Sequence, residues 1–319
     1  MKKITLSDIA KKTGYSVNTV SHALRDMKDI SKEVKAYIND TAKKMGYIPN
    51  LSAGFLRGGK TMSIALIVDD ITSVNTANAV KEIELMLRKR GYGIFLMNTQ
   101  GSTDLCESAV TSALSRNADG IIVLGCTLPK KSIELIKENA TPLLFAGAEQ
   151  KGAVSVTVNQ YECGNLAGEK LSELGHKKIL FMGDNQKILS GIQDASRDFS
   201  IYTDYSESKE YSAIVCDNYD IAFKTYMSQS RNGLSVPEDI SVISLGCRWQ
   251  NTPLDITCIG EDGGIFCAEV ISTLLGMING DVVSSEVTVS PKFFDGETVS
   301  KPSAKFKANS RRQLSDYLL

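Results

Sequence analysis

The spacing of hydrophobic residues divides the chain into two parts. Up to about residue 50, apolar positions recur about every three or four residues, which is the period of an amphipathic helix. From Thr61 onward, short apolar runs alternate with longer stretches whose apolar residues again have helical spacing. The first pattern predicts a small helical domain, and the second predicts strands that alternate with helices.

Three helices are predicted in the first part, because each has a polar capping residue followed by an apolar stripe. The caps are Thr5 with Asp8 as a capping box, Ser16, and Ser31. The inward positions are Ile9, Ala10, Val20, Leu24, Val34, Ile38, Thr41 and Met45. Gly14 can take the left-handed conformation that a sharp turn requires, and Gly46 ends the third helix. The pattern predicts a helix-turn-helix with a third supporting helix.

The second helix of such a motif enters the DNA major groove through its N-terminal residues. We therefore predict base contacts by Val17, Asn18 and His22, because Asn pairs with adenine, Val contacts a thymine methyl and His donates to guanine. The predicted phosphate contacts are Thr5, Ser16, Thr19, Ser21, Arg25 and Ser31. The alternative is an ordinary helical hairpin, since short patterns of this kind also occur by chance.

The distribution of charge favours the DNA-binding interpretation. Residues 1–60 contain twelve Lys and Arg against five Asp and Glu, a net charge of +7. Because the whole chain carries −1, the remainder carries −8. A basic domain gains affinity for DNA by releasing counterions, and an acidic body is repelled by the same polyanion.

Nine strands are predicted in the second part, and helical patterns lie between many of them. The strands cover residues 63–68, 93–97, 120–124, 142–145, 154–158, 179–182, 213–215, 240–245 and 256–259. Alternation of strand and helix predicts an α/β fold of parallel sheets with helices on both faces. Because nine strands are many for one such sheet, we expect two doubly wound lobes with a crevice at the carboxyl ends of the strands.

Several classes of protein are not favoured by the sequence. Its apolar runs are shorter than a membrane span, so we expect a cytoplasmic protein without a membrane partner. Its seven cysteines have no Cys-x-x-Cys pair and read as reduced thiols. Its two histidines are His22, in the second helix, and His176, for which a structural role is expected. An enzyme is therefore a distant alternative, and no cofactor or metal is expected.

The first fifty residues resemble the head of the lactose/galactose-repressor family (LacI/GalR) of bacterial transcription regulators. The resemblance runs from Ile4 to Tyr47-Ile-Pro-Asn50 and includes Ser16-Val-Asn-Thr-Val-Ser21. It implies that the next segment, residues 51–60, is a hinge helix that forms on operator DNA. Ala53 and Leu56 match the positions that the family places in the minor groove. A plain flexible linker is the alternative, because glycines weaken an isolated helix.

The resemblance continues to about residue 299 and implies a body similar to periplasmic sugar-binding proteins. It is carried by Ile64-Ala-Leu-Ile-Val-Asp-Asp-Ile71, Arg90-Gly-Tyr92, Ala118-Asp-Gly-Ile-Ile-Val123, Leu174-Gly-His-Lys-Lys-Ile179 and Val236-Pro-Glu-Asp-Ile-Ser-Val-Ile243. The expected domains are a head at 1–50, a hinge at 51–60, a two-lobed effector-binding and dimerisation body at 61–299, and a polar tail at 300–319 that need not be ordered. The tail has too few leucines for a tetramerising coiled coil.

The effector pocket that the resemblance implies departs from the sugar-binding members. Its polar positions fall on Gly147-Ala148, Asn159-Gln160, Ile188 and Gly246, and its aromatic pair falls near Asn75-Thr76. Only Asn218 keeps the expected type. One interpretation is a pocket rebuilt for another ligand and lined by Ser73, Asn75, Asn218, Tyr219, Arg248 and Trp249. The other is a decayed pocket in a body that mainly dimerises. Trp249 fits a ligand-stacking role and a buried structural role equally well.

Together these features predict a sequence-specific DNA-binding regulator, with repression favoured. We expect a homodimer on a pseudo-palindromic double-stranded operator, with a small effector of unknown identity in the cleft between the lobes. The alternative from another class is a cytoplasmic binding protein for a sugar-like small molecule, without operator control. That alternative leaves the basic head without a role.

Overall fold

The structure is a computed structural model that describes residues 4–48, 60–203, 211–250 and 252–303. The chain separates into two compact units, Met1–Thr61 and Met62–Leu319. The predicted hinge, with Ala53 and Leu56, lies outside the described residues, as does the tail from residue 304.

The head contains the three predicted helices: α1 (Leu6–Thr13), α2 (Val17–Leu24) and α3 (Lys32–Lys44). The Thr5 hydroxyl accepts the Asp8 N–H at 3.3 Å, and the Asp8 carboxylate accepts the Thr5 N–H at 2.9 Å. Ser16 caps α2 through its hydroxyl, which accepts the Thr19 N–H. Gly14 has a φ of 79°, so the turn between α1 and α2 requires the left-handed conformation that glycine adopts readily.

The core of the head lies where the three helices meet. Ile9, Val20 and Ile38 are fully buried at its centre. One predicted core position is wrong, because Ala42 is buried in place of Thr41. Thr41 is half-buried, and its hydroxyl donates to the carbonyl of Tyr37 one turn earlier. Neighbouring positions on a helix lie about 100° apart, so Ala42 faces the core while Thr41 lies beside it.

The body is built from seven helices and twelve strands in the described part of the chain. The strands are β1 (Ser63–Val68), β2 (Gly93–Asn98), β3 (Gly120–Leu124), β4 (Leu143–Ala146), β5 (Val154–Val158), β6 (Lys178–Met182), β7 (Ser200–Tyr202), β8 (Ala213–Cys216), β9 (Ser241–Leu245), β10 (Cys258–Gly260), β11 (Glu286–Val289) and β12 (Lys292–Phe294). The helices are α4 (Val74–Arg88), α5 (Thr103–Ser115), α6 (Lys130–Glu138), α7 (Gln160–Leu174), α8 (Gln186–Ala195), α9 (Tyr219–Arg231) and α10 (Gly263–Asn279).

The strands form two six-stranded sheets, which confirms the prediction of two doubly wound lobes. Lobe 1 has the order β11-β5-β4-β3-β1-β2 and lobe 2 the order β12-β10-β9-β8-β6-β7. All strand pairs are parallel except β10 with β12. Strand β11 pairs with β5, so the chain returns from lobe 2 to complete lobe 1.

All nine predicted strands are present, and β7, β11 and β12 are additional. Strands β7 and β12 are three residues long, and β11 has alternating exposed and half-buried positions. Each of the three lies at an edge of its sheet. An edge strand has one neighbour and less apolar surface to bury, so it lacks the continuous apolar run of a central strand.

Glycines allow two helices of the body to lie in direct backbone contact. Gly164 on α7 and Gly191 on α8 lie so close to the opposite helix that a Cβ at either would overlap a backbone carbonyl, that of Ile188 or Tyr161. This contact fixes the position of α8, whose first residues approach the space between the lobes.

His176 has the structural role expected from the sequence. Its ring is buried, Nε2 lies 2.8 Å from the carbonyl of Ser300, and Nδ1 lies 2.8 Å from the Ser212 hydroxyl. Since a carbonyl only accepts, Nε2 carries the proton and Nδ1 accepts from Ser212. The predicted tail therefore begins too early, because Ser300 is bonded to the body.

Two further expectations concern chemistry and the membrane. The seven cysteines are all free thiols, and five of them are buried. Burial raises the pKa of the Cys163 thiol to about 12, which keeps it protonated. No helix in the described ranges is both long and apolar enough to cross a bilayer.

Candidate nucleic-acid interface and inter-lobe cleft

Helix α2 presents its N-terminal residues on the surface of the head. Val17 is 46% exposed, and Asn18 beside it is also exposed. The Ser16 hydroxyl accepts the Thr19 N–H at 3.1 Å and so fixes the start of the helix. An apolar contact for a thymine methyl and an amide for adenine therefore lie side by side.

His22, the third predicted base contact, lies one turn further along α2. Its side chain is 26% exposed, and its Nδ1 lies 2.6 Å from the carboxylate of Asp29. The hydrogen bond from His22 is the main reason that the pKa of Asp29 is lowered. Asp29 belongs to the turn between α2 and α3 and was not among the predicted site residues.

The predicted phosphate contacts divide into two groups. Thr5, Ser16, Arg25 and Ser31 are exposed and Thr19 is half-buried. Ser21 differs, because only 7% of it is accessible. Its burial beside the core of the head argues against a contact between Ser21 and a phosphate.

A cleft of about 700 Å³ lies between the two lobes of the body. Its wall is formed at the carboxyl ends of strands in both lobes, as the topology predicts. The wall includes Leu124, Ala146, Gly147, Ala148 and Val158 from lobe 1 and Asp217, Asn218, Gly246 and Cys247 from lobe 2. The family positions assigned to Gly147, Ala148 and Gly246 therefore do face the cleft, and their side chains offer no polar group.

Four of the six predicted lining residues, Ser73, Asn75, Asn218 and Trp249, lie in the cleft wall. Tyr219 is a wrong prediction, because it is 5% exposed and its hydroxyl is bonded to the backbone of Leu254. Arg248 is also wrong, because its guanidinium turns to the Asp255 carboxylate. Tyr219 and Arg248 both come shortly after the end of a strand, but their side chains pack against lobe 2 and do not line the cleft.

The assignment of a ligand-clamping position to Ile188 is also wrong. Ile188 is fully buried in the contact between α7 and α8. Its neighbour Lys187 reaches the cleft instead.

A carboxylate of lobe 2 caps a helix of lobe 1 across the cleft. Asp220, in the first turn of α9, accepts the Ser73 hydroxyl at 2.6 Å and the Val74 N–H at 3.1 Å. Ser73 is the N-cap residue of α4 but makes no capping bond with its own side chain. The negative charge of Asp220 thus replaces the missing cap at the positive end of α4.

Two further contacts join the lobes. The Trp249 indole N–H donates to the side-chain oxygen of Asn75 at 3.0 Å, and the ring lies against the backbone of Gly263. Lys187 and Glu149 form an ion pair at 2.8 Å, with about 60% of each side chain exposed. Trp249 is therefore largely buried and bonded to Asn75, as the structural interpretation expects. It also lies in the cleft wall, where stacking on a ligand stays a prediction.

Asp217 is the remaining acid of the cleft that sequence reasoning missed. Burial raises its pKa, and the nearby charge of Asp184 adds to the effect. Its position after β8, next to Asn218, was the available signal. Asp220 and Lys187 had no such signal, because each gains its role only when the two lobes come together.

Two family models match the chain. Residues 5–50 match bacterial regulatory proteins of the lacI family, and residues 61–201 match periplasmic binding proteins and the sugar-binding domain of the LacI family. The two matches lie in the head and in the body respectively.

Individual proteins are similar over most of the chain. The transcriptional repressor PurR of Actinobacillus pleuropneumoniae is 26% identical over 87% of this chain and 92% of its own. Catabolite control protein A of Staphylococcus aureus is 24% identical over 76% and 82%. A lac repressor dimer bound to operator and the anti-inducer ONPF has a TM-score of 0.79 at 20% identity and covers 94% of this chain and all of that one. At that identity the structural match supports the fold alone.

Proposed function

The chain belongs to the lacI family of bacterial regulatory proteins, and from that premise we propose that it represses transcription as a homodimer on a pseudo-palindromic operator. The observation that carries the DNA-binding role is the exposed pair Val17 and Asn18 at the capped start of α2. The net charge of +7 over residues 1–60 supports it. A DNA-binding role of this kind also places the protein in the cytoplasm.

A dimer follows from how such heads read DNA. One head covers a single half-site, whereas a two-fold dimer presents two heads to two half-sites about one helical turn apart or a multiple of that. The lac repressor of similar fold was crystallised as a dimer on its operator. We propose the same arrangement for this chain, and sedimentation of the protein with a selected duplex measures the ratio of chains to DNA.

The experiment that tests DNA reading is selection of bound duplexes from a random pool, followed by titration of variants. We expect Asn18→Ala to lose about 1–3 kcal/mol on the selected site and to relax one base position. Asn39→Ala is the matched control, because Asn39 is an exposed asparagine on α3. Equal losses by Asn18→Ala on selected and random DNA would contradict the assignment of Asn18 as a base contact.

For the cleft, we propose a small effector that is less polar than an unmodified sugar. The volume of about 700 Å³ is in the usual range for a ligand site. Two of its acidic groups already have partners across the cleft, since Asp220 is bonded to Ser73 and Glu149 to Lys187. Gly147, Ala148 and Gly246 add no polar side chain to a wall whose remaining polar groups are mainly neutral, such as Asn218 and Gln160.

The test of this proposal uses Trp249, the single tryptophan of the chain. A panel of metabolites is titrated into the protein while tryptophan emission and operator binding are followed. A ligand that changes both supports effector control through the cleft. A panel that changes neither, across apolar and charged classes, favours the decayed pocket.

A further inference from the structure

We propose that Asp29 determines which base His22 reads, by holding a proton on Nδ1 of His22 and leaving Nε2 as the nitrogen offered to DNA. The inference rests on the proposed function, because it takes the exposed side of α2 as the surface that meets base edges. It assigns Asp29 as a positioning residue that acts through His22.

The geometry fixes which atom donates. His22 Nδ1 and Asp29 Oδ2 are 2.6 Å apart, a short distance that is typical of a charge-assisted hydrogen bond. The lowered pKa of Asp29 keeps its carboxylate ionised near neutral pH, and an ionised carboxylate only accepts. Nδ1 must therefore be the donor, whether the ring is neutral or charged.

The consequence for base reading depends on pH. In the neutral ring Nε2 has no proton and can only accept, which matches the amino groups of adenine and cytosine. In the protonated ring Nε2 donates, which matches N7 and O6 of guanine or O4 of thymine. The expectation from sequence, that His22 donates to guanine, thus applies only to its charged form.

In the described head, the other charged side chains near His22 have identified partners. From α3, Lys35 pairs with Asp26 at 2.8 Å, and its charge also acts on Asp29. On α2 itself, the Arg25 Nε–H donates to the Ser21 carbonyl, and from α1, Asp8 is engaged by Thr5 in the capping box. Each of these charged groups has its own partner, and Asp29 is the carboxylate that contacts His22.

Nitrogen NMR tests the proton position directly, using full-length protein with ¹⁵N-labelled histidine. The chain has two histidines, and His176 is an internal reference because its proton is on Nε2. In the neutral ring we expect His22 to show the opposite pattern, with Nδ1 protonated and Nε2 bare. The variant Asp29→Ala should move the His22 proton to Nε2 and leave the His176 signals unchanged.

DNA selection tests the functional consequence, at one pH where the NMR spectrum shows the His22 ring charged and at one where it shows the ring neutral. For the wild type, we expect one base position in each half-site to change from guanine or thymine with the charged ring to adenine or cytosine with the neutral ring. The change should be about tenfold, the discrimination expected of one base-edge contact. Asp29→Ala should keep the preference for guanine or thymine with both forms of the ring.

Asp40→Ala is the matched control, because it removes the same charge from an exposed aspartate that pairs with Lys44 on α3. It should raise affinity for all sequences without changing the preferred base. The inference is refuted if the wild type has one preference with both forms of the ring, or if Asp29→Ala behaves as Asp40→Ala does. Failure of the proposed function is a separate outcome, in which no sequence is enriched at either pH.

Discussion

The contact between Asp220 and the start of α4 leads to a prediction about the motion of the lobes. Replacing Asp220 by alanine removes the acceptor of two hydrogen bonds, from the Ser73 hydroxyl at 2.6 Å and from the Val74 N–H at 3.1 Å. Because the bonds cross the cleft, their loss should favour an open arrangement of the lobes in the absence of ligand.

The magnitude follows from the charge on the acceptor. Hydrogen bonds to charged groups contribute about 1.5–3 kcal/mol each when they are well buried. Asp220 is half-buried, so we take about 2 kcal/mol for both bonds after discounting for solvent screening. A change of this size shifts the ratio of closed to open molecules about thirtyfold, since a tenfold change corresponds to about 1.4 kcal/mol.

Trp249 provides the readout, because it is 6% exposed and donates to Asn75 across the same cleft. In Asp220→Ala we expect its emission to move to longer wavelength and acrylamide to quench it more strongly. The control is Glu149→Gln, which breaks an exposed ion pair worth about 0–1 kcal/mol and should leave the emission unchanged.

A double-mutant cycle with Ser73→Ala separates the contact across the cleft from local effects on α9. Asp220 also lies in the first turn of its own helix, where a carboxylate contributes about 0.3–1 kcal/mol. The cycle should leave a coupling of about 0.5 kcal/mol or more between the two residues. Wild-type emission and quenching in Asp220→Ala, or equal effects of Glu149→Gln, would refute the reasoning.

Three other predictions concern the interior of the body and its ligand. Gly164→Ala should destabilise the protein by about 1–3 kcal/mol or more in denaturant unfolding, because the added Cβ overlaps the Ile188 carbonyl, whereas Gly93→Ala adds a Cβ with nothing within 4 Å. Burial lowers the pKa of His176 below 6.5, so stability present above that pH should decline as pH falls toward the lowered value, and His176→Gln should flatten this decline. Unmodified hexoses and pentoses should neither raise the melting temperature nor release DNA; micromolar binding of either would contradict the reading of the cleft.

The head could be predicted almost completely because its signals are local. The Ser16 hydroxyl accepts an N–H only three residues later in the chain. Gly14, which makes the turn, follows α1 directly and comes two residues before that cap. The central strands were equally readable, since each is a continuous apolar run buried on both faces. The errors lie where a residue is decided by distant parts of the chain, as in the edge strand β11, which joins lobe 1 after every strand of lobe 2 except β12.

The position of the cleft could be predicted from the sequence, but the residues that line it could be predicted only in part. Topology put it at the carboxyl ends of the strands, and Ser73, Asn75, Asn218 and Trp249 followed from that rule. Whether a residue after a strand turns to the cleft or to its own lobe depends on partners that sequence order does not reveal. Arg248 has such a partner in Asp255, which lies seven residues later.

The contacts between the lobes also constrain how any effector can act. A ligand shifts a conformational equilibrium only by its difference in affinity for the two states. In the arrangement of the lobes that the structure shows, hydrogen bonds or an ion pair already join Ser73, Asn75 and Lys187 to partners in the opposite lobe. A ligand that uses those same groups must displace their partners and so gains little from closure. A ligand that leaves them in place and fills the apolar part of the wall, near Leu124 and Phe266, adds its contacts to the existing ones and favours the closed state. The structure of the cleft therefore favours effectors of the second kind.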